Sequence, residues 1–508
     1  MTSAFSSAGS RKSSMPARLV RRPVAALVTG LMALSLAACG GGGGDTANLI
    51  GTLDKTFGKS NDGTPDGMVS YSIGSGNDTT RGTVIQADGK ILVVGTSTST
   101  ITGTSGIGSN IVVERFNVDG TLDTTFGHDA NSDGSPDGVV SLDLDAGDDE
   151  GHAIAVQADG KIVIVGTRTV NNSKNIVVAR LTDLGALDAN FGVGGADGNG
   201  VVTLDLGVND DIANAVALQH DGKILVAGTT GAAGDTNVVV ARLSTDGTMD
   251  INFGDDYDSN TFRDGYKILN LTTSGTSNEE AVAMAVQADD RIVVVGNSNA
   301  SGNSNIVVAR LNPDGQLDTF FGADNNDGTP DGVTSVNLSA GNDIAHALAL
   351  QADGKILVAG SDIDAGSKDA VVARLNADGS IDMAFGAGIA DGTPDGAVGI
   401  NLGAGDDEIA AIAVDADGKI VVVGTTTSTS TTSNVFVARL LASGGFDTSF
   451  GQGNDGTPDG VVNLSFSNGA DIAQALAIQA DGKIIVAGDD VGTDGTSNIA
   501  LARLLVKN

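Results

Sequence analysis

The chain alternates between two kinds of apolar pattern, and their order repeats from one end of the body to the other. One kind is continuous, as in the pair of runs in AIAVQADGKIVIVG (153–166) and in NIVVARL (175–181). The other alternates apolar and polar, as in VVSLDL (139–144). Continuous apolar runs of this length predict strands covered on both faces, whereas strict alternation predicts a strand with one wet face. The two runs of the first pattern are joined by Asp-Gly in six of seven copies, the fourth substituting Asp289-Asp290. Asp-Gly between apolar runs is a strong hairpin signal, and a type I′ turn with positive φ at both central residues is expected.

An x-D-x-x-F-G element marks each copy, with Phe57, Phe126, Phe191, Phe253, Phe321, Phe385 and Phe450 spaced 62 to 69 residues apart. Each copy therefore supplies four short strands: the hairpin pair a and b, the VARL-like strand c, and the alternating strand d. A unit of this kind buries its faces only against neighbours. The expected fold is all-β, a seven-bladed β-propeller of four-stranded antiparallel blades, the hairpin strands inside and the alternating strand d outermost. A linear β-solenoid fits less well, because these repeats are much too long for one coil.

LDTTFG (122–127), QADGKILVVG (86–95) and NIVVARLNPDG (305–315) resemble the delta-60 repeat of bacterial surface and secreted proteins, over residues 51–508. The units are also similar to those of NHL-type propellers. That resemblance implies that the chain starts on a d strand (68–73) and ends on a c strand (499–504). The N-terminal strand would then complete the last blade.

Residues 1–38 hold no acid and five cations, then the apolar stretch PVAALVTGLMALSLAA up to Cys39. This is the order of a secretory signal, too short to span a membrane as a helix; Met15 is an alternative start. Leu36-Ala37-Ala38-Cys39 resembles the bacterial lipobox, which implies cleavage before Cys39 and a diacylglyceryl group on it. Cys39 is the chain's single cysteine, and acylation gives it a role. Residues 39–50 form a Gly-rich tether, and Gly40 in place of Asp favours the outer membrane by resemblance to proteobacterial sorting. A bacterial cell-envelope lipoprotein, held to its membrane by lipid alone, is expected.

Without residues 1–38 the net charge moves from −35 to −40, which disfavours nucleic acid and anionic lipid as partners. Only five of the 63 acids are glutamate, so aspartate is used for turn geometry or for cations. In the second copy Asp129, Asn131, Asp133 and Asp137 surround Gly134 with the spacing of a calcium loop, resembling thrombospondin type 3 repeats; Val140 stands where a bidentate Glu is wanted. Ca²⁺ is the one cofactor the sequence suggests.

Three repeated positions carry chemistry. Arg115, Arg180, Arg242, Arg310, Arg374, Arg439 and Arg503 recur in strand c, and ion pairs with repeat aspartates such as Asp123, Asp188 and Asp318 are expected. Asp78, Asp149, Asp211, Glu279, Asp343, Asp407 and Asp471 precede strand a, either capping their own turns or forming an acidic ring at one mouth of the channel. Three residues on, the position varies: Arg81, His152, Asn214, Val282, His346, Ala410 and Gln474. That face is the candidate binding face, with His152 and His346 in equivalent places. The chain has no tryptophan and three tyrosines, which argues against sugar stacking, and it lacks G-x-S-x-G and H-E-x-x-H motifs. The sequence thus points to a surface-displayed binding or scaffolding module. A metal-dependent hydrolase or lactonase-like propeller enzyme and a purely structural surface protein are the alternatives.

Overall fold

A computed structural model describes residues 50–506 apart from 59–65, 99–107, 128–136, 145–146, 193–199, 208, 233, 258–261, 272–276, 300–301, 323–330, 365–366, 387–394, 404, 428–431 and 452–458. The signal, Cys39 and the tether, together with Asp129, Asn131 and Asp133, lie outside the described residues. The rest forms seven four-stranded antiparallel sheets, and no helix occurs among the described residues. In blade 1 the strands are a (Asp78–Ile85), b (Ile91–Ser97), c (Asn110–Phe116) and d (Val139–Leu142). Blades 2 to 6 follow the same order at residues 149–204, 210–269, 279–336, 342–400 and 407–464. The a strands of successive blades touch one another, and blade 7 touches blade 1, so the ring is closed around an axis lined by strand a.

The sequence patterns match this placement. Strands b and c carry continuous burial, as Ile162–Val165 and Ile176–Ala179 show, because a neighbouring blade covers each face. Each interface is an apolar cluster spanning two blades, with the motif phenylalanine in it. Phe126, for example, packs with Ile111 and Val113 of blade 1 and with Ile164 and Val177 of blade 2.

Blade 7 is built from both ends of the body. Strands Ala470–Ile478, Ile484–Val491 and Ser497–Leu504 receive Met68–Tyr71 as their fourth, with Met68 opposite Ala502 and Tyr71 opposite Ile499. The N-terminal segment adds more than a strand: Leu53 bridges Leu504, Gly51 N–H donates to Leu505 O, and Asp54 accepts from Arg503. The first L-D-x-x-F-G copy therefore serves the last blade. This closure removes the ring's free edge, which an isolated three-stranded blade would expose.

The a–b turn departs from the sequence expectation. Gly89 N–H donates to Gln86 O and Gln86 N–H to Lys90 O, and Gly89 has φ +85° while Asp88 stays out of the left-handed region. This is the three-residue loop with a glycine bulge, and the type I′ turn is not formed. The reason is local. An aspartate with ordinary φ turns its carboxylate back to accept Lys90 N–H at 3.1 Å, leaving only the glycine to take positive φ. In the fourth repeat Asp290 fills the glycine position with φ +62°, and His220 Nδ1 of the preceding blade meets its carboxylate at 2.7 Å.

Candidate functional site: the axial mouth

Strand a carries one irregularity in every blade. Its register with strand b skips a residue between Thr80 and Gly82, Gly151 and Ala153, Ala213 and Ala215, Ala281 and Ala283, Ala345 and Ala347, Ile409 and Ala411, and Ala473 and Ala475. The skipped residues are Arg81, His152, Asn214, Val282, His346, Ala410 and Gln474, the variable series. A β-bulge re-aims its extra side chain and bends the strand. Here it sends five of the seven, Arg81, His152, Asn214, Val282 and Gln474, to the wall of an axial pocket of about 320 Å³ to which all seven blades contribute. Sequence alignment found the variability; the bulge that gives it a direction is a property of strand pairing.

The bulged residues also reach their neighbours. His152 Nδ1 donates to Ala213 O at 2.6 Å, and Asn214 Nδ2 donates to Ala281 O at 2.8 Å, each crossing to the next blade. His346 Nε2 meets Glu408 Oε1 of blade 6 at 2.8 Å, and Lys368 Nζ meets Oε2 at 2.6 Å. His152 Nε2 lies 3.3 Å from Glu150, which Lys174 also approaches at 3.5 Å. These neighbours hold Glu150 and Glu408 down to about 2, the histidine hydrogen bond acting first in each case. The structure does not bring the two histidines together: each is taken up by its own glutamate. No group of three or more His, Cys, Asp or Glu suited to a metal ion occurs among the described residues.

The seven acids preceding strand a turn inward. All seven are fully buried. Asp78 accepts Ile73 N–H at 2.8 Å, Asp149 accepts Leu144 N–H at 2.7 Å, and Asp211 accepts Leu206 N–H at 2.7 Å. Glu279, Asp343, Asp407 and Asp471 take the same bond from Leu271, Leu338, Leu402 and Phe466 at 2.7 to 3.0 Å. Each closes its own d–a turn, so no ligand reaches a ring made of these residues. Burial pushes Asp78, Asp211, Asp407 and Asp471 above the usual carboxylate range. Asp343 is pushed up to about 7, by burial and then by the neighbouring Asp362.

The next position along strand a was not singled out by the sequence reading. It holds Thr79 in blade 1, then Glu150, Ile212, Glu280, Ile344, Glu408 and Ile472. Three of the chain's five glutamates thus alternate with isoleucines at the d–a end of the inner strands. Their scarcity elsewhere was the signal that could have found them.

On the opposite face lie the seven arginines. Each Nε donates to an aspartate of its own repeat at 2.7 to 2.9 Å, the partners being Asp123, Asp188, Asp250, Asp318, Asp382, Asp447 and, for Arg503, Asp54. Each guanidinium also lies 4.3 to 4.6 Å over the motif phenylalanine. The link to the next blade is a third contact: Arg115, Arg180, Arg242, Arg310, Arg374 and Arg503 donate through Nη1 to a backbone carbonyl there. Burial alone would raise these aspartates. At Asp123 it is outweighed by Thr125, Lys90 and Arg115, and the carboxyl is held well below its usual range. These side chains are frame, and nothing in them is free for an anion.

A seven-bladed β-propeller whose inner strands each bulge toward one axial pocket is therefore the class this chain defines. Seven stretches, 86–126, 157–191, 219–253, 287–321, 351–385, 416–450 and 479–506, match the family model described as "Domain of unknown function (DUF5122) beta-propeller", one in each repeat. No curated protein matches the chain. Among solved structures it is similar to a catalytically inactive virginiamycin B lyase from Staphylococcus aureus (11% identity, 86% of this chain and 99% of that one, TM-score 0.45). It is also similar to the polysaccharide lyase Uly1 (11%, 84% and 90%, 0.44) and to Drosophila Semaphorin 2a (9%, 87% and 75%, 0.43). At these values the likeness carries no functional argument, and the fold rests on the seven sheets themselves.

Proposed function

We propose that this protein is a cell-envelope lipoprotein that displays its propeller as a binding or scaffolding module, with the axial mouth as the binding face. The observation that carries the reading is the contrast within strand a. The bulge recurs in every blade, yet the residue that it re-aims takes six different types over the seven blades. A purely structural ring gains nothing from varying that position. Around it, Glu150, Glu280 and Glu408 alternate with isoleucines, which suits a protein or other surface ligand offering cationic and apolar groups together. Cys39 carries the lipid and holds the body to the outer membrane. Calcium binds the Asp129–Asp137 loop.

The test is capture from envelope extracts by the mature chain and by an Arg81→Ala/His152→Ala/Gln474→Ala variant of equal melting temperature. A partner retained by the first and lost by the second supports the reading. The same partner on both places binding elsewhere, and no partner on either favours a structural coat. Lipidation is tested separately. Cys39→Ser should abolish uptake of a fatty-acid analogue, and a labelled, membrane-bound mutant refutes the anchor.

A further inference from the structure

The third repeat breaks the pattern where its c and d strands meet. The other six repeats begin strand d with Met68, Val139, Val201, Val333, Ala397 or Val461; this one begins with Tyr266. Tyr257, from the loop before it, stacks on Tyr266 with ring centroids 4.9 Å apart and planes 13° apart. Two of the chain's three tyrosines thus form one aromatic platform, which the residue counts alone argued against.

The described residues on either side of 258–261 are tied to their neighbours. Lys267 Nζ and Gln316 Nε2 hold Asp255 at 2.7 and 2.9 Å, and Asp264 accepts Tyr257 N–H at 2.6 Å. Ile268 N–H donates to the Tyr257 hydroxyl at 2.9 Å, fixing the ring against the outer strand. That bond accounts for the hydroxyl but not for a second tyrosine beneath it, and Tyr257 remains 43% exposed.

Beside the platform is a groove of about 460 Å³, on the outer wall between blades 2 and 3 and away from the axial pocket. The volume falls within the ~300–1,000 Å³ of small-ligand clefts. Leu204, Leu206 and Met249 line it with apolar surface, and Asp205 and Asp264 add carboxylates to the lining. Flat apolar surface flanked by carboxylate acceptors is the complement of a pyranose ring, which has a C–H face and a girdle of hydroxyl donors. The carboxylates and the net charge of the chain reject uronic or sulfated sugars.

We propose that this groove is a binding subsite for uncharged pyranose oligosaccharides. With no tryptophan in the chain and two of its three tyrosines at the groove, intrinsic tyrosine emission responds to binding there. The mature chain is titrated with neutral gluco-, manno- and N-acetylglucosamine oligomers and with an oligogalacturonate. A saturable emission change with at least one neutral oligomer is expected, together with silence from the oligogalacturonate. Tyr266→Val restores the residue type of the sister blades, so the fold is kept while the platform is lost. It should weaken binding about tenfold, the factor one aromatic contact is worth. Tyr71→Phe should leave binding unchanged. No saturable change with any neutral oligomer, binding only of the acidic one, or unaltered affinity in Tyr266→Val would each overturn the subsite.

Discussion

Glu114 lies in strand c of blade 1, where the other six blades carry Ala179, Ala241, Ala309, Ala373, Ala438 and Ala502. It is fully buried, and neither carboxyl oxygen has a hydrogen-bond partner. Its strand neighbours Val112 and Phe116 face the seam with blade 7, where Tyr71 of the N-terminal strand meets Phe116 edge-on at 6.4 Å. Burial, and then the charge of Asp78, pushes the Glu114 carboxyl well above its ordinary 4.5. Tyr71 is pushed up to about 12, by burial and then by Glu114, Asp137 and Asp78. A buried carboxyl with both oxygens unpaired costs about 1–3 kcal/mol for each. Glu114→Ala removes that cost and gives up two methylenes of packing, about 0.8 kcal/mol each. The expected net gain near neutral pH is about 0.5–4 kcal/mol, a rise of up to a few degrees in Tm. Because the folded group holds its proton more tightly than the unfolded one, wild type is free of the ionic penalty below 4.5 and loses stability as pH rises toward the folded value. The advantage of Glu114→Ala should therefore widen as pH rises above 4.5, while Glu114→Gln removes the pH dependence and keeps the unpaired polar atoms. Thermal melts by circular dichroism across that range decide it. A variant less stable than wild type at neutral pH, or a difference that does not change with pH, would refute the argument.

Deleting residues 45–75 removes the fourth strand of blade 7 together with Asp54 and Phe57. Hydrogen exchange should then lose protection first at 470–504, and loss at 138–181 instead would mean that the ring closes elsewhere. Arg242→Ala leaves Asp250 buried with Lys223 at 3.3 Å as its remaining cation, so denaturant melts should show a loss of about 3–5 kcal/mol. A loss below about 1 kcal/mol would show that the arginine frame is ornamental. Millimolar calcium should raise Tm through the Asp129–Asp137 loop, by about 2.7 kcal/mol of stability at one hundred times Kd. Asp133→Ala should abolish the shift and a change at Asp343 should not. An equal effect from magnesium or from salt alone would trace the rise to screening of the acidic surface.

The repeat, the blade count and the order of strands were legible in the chain, and the closing of blade 7 by the N-terminal strand followed from the resemblance to NHL-type propellers. Apolar continuity reports burial on two faces, and alternation reports one wet face, whatever the fold around them. The arginine–aspartate pairs were legible for the same reason: one copy per repeat inside a buried strand leaves a charge that must be paired. What the sequence left open was direction. The alignment showed seven acids and, three residues on, seven side chains of six types, but not which of the two sets faces the axis. The inner strand decides this by its bulge, which turns Arg81 and His152 to the pocket, and by the d–a turn, whose orphan N–H groups draw Asp78 and its counterparts inward. Likewise Tyr257 and Tyr266 are scattered residues in the chain, and Glu114 is one substitution in an otherwise uniform strand. Only packing shows that the first two make a platform and that the third sits unpaired in the seam where the ring closes, because contact between blades depends on distances that no repeat period encodes.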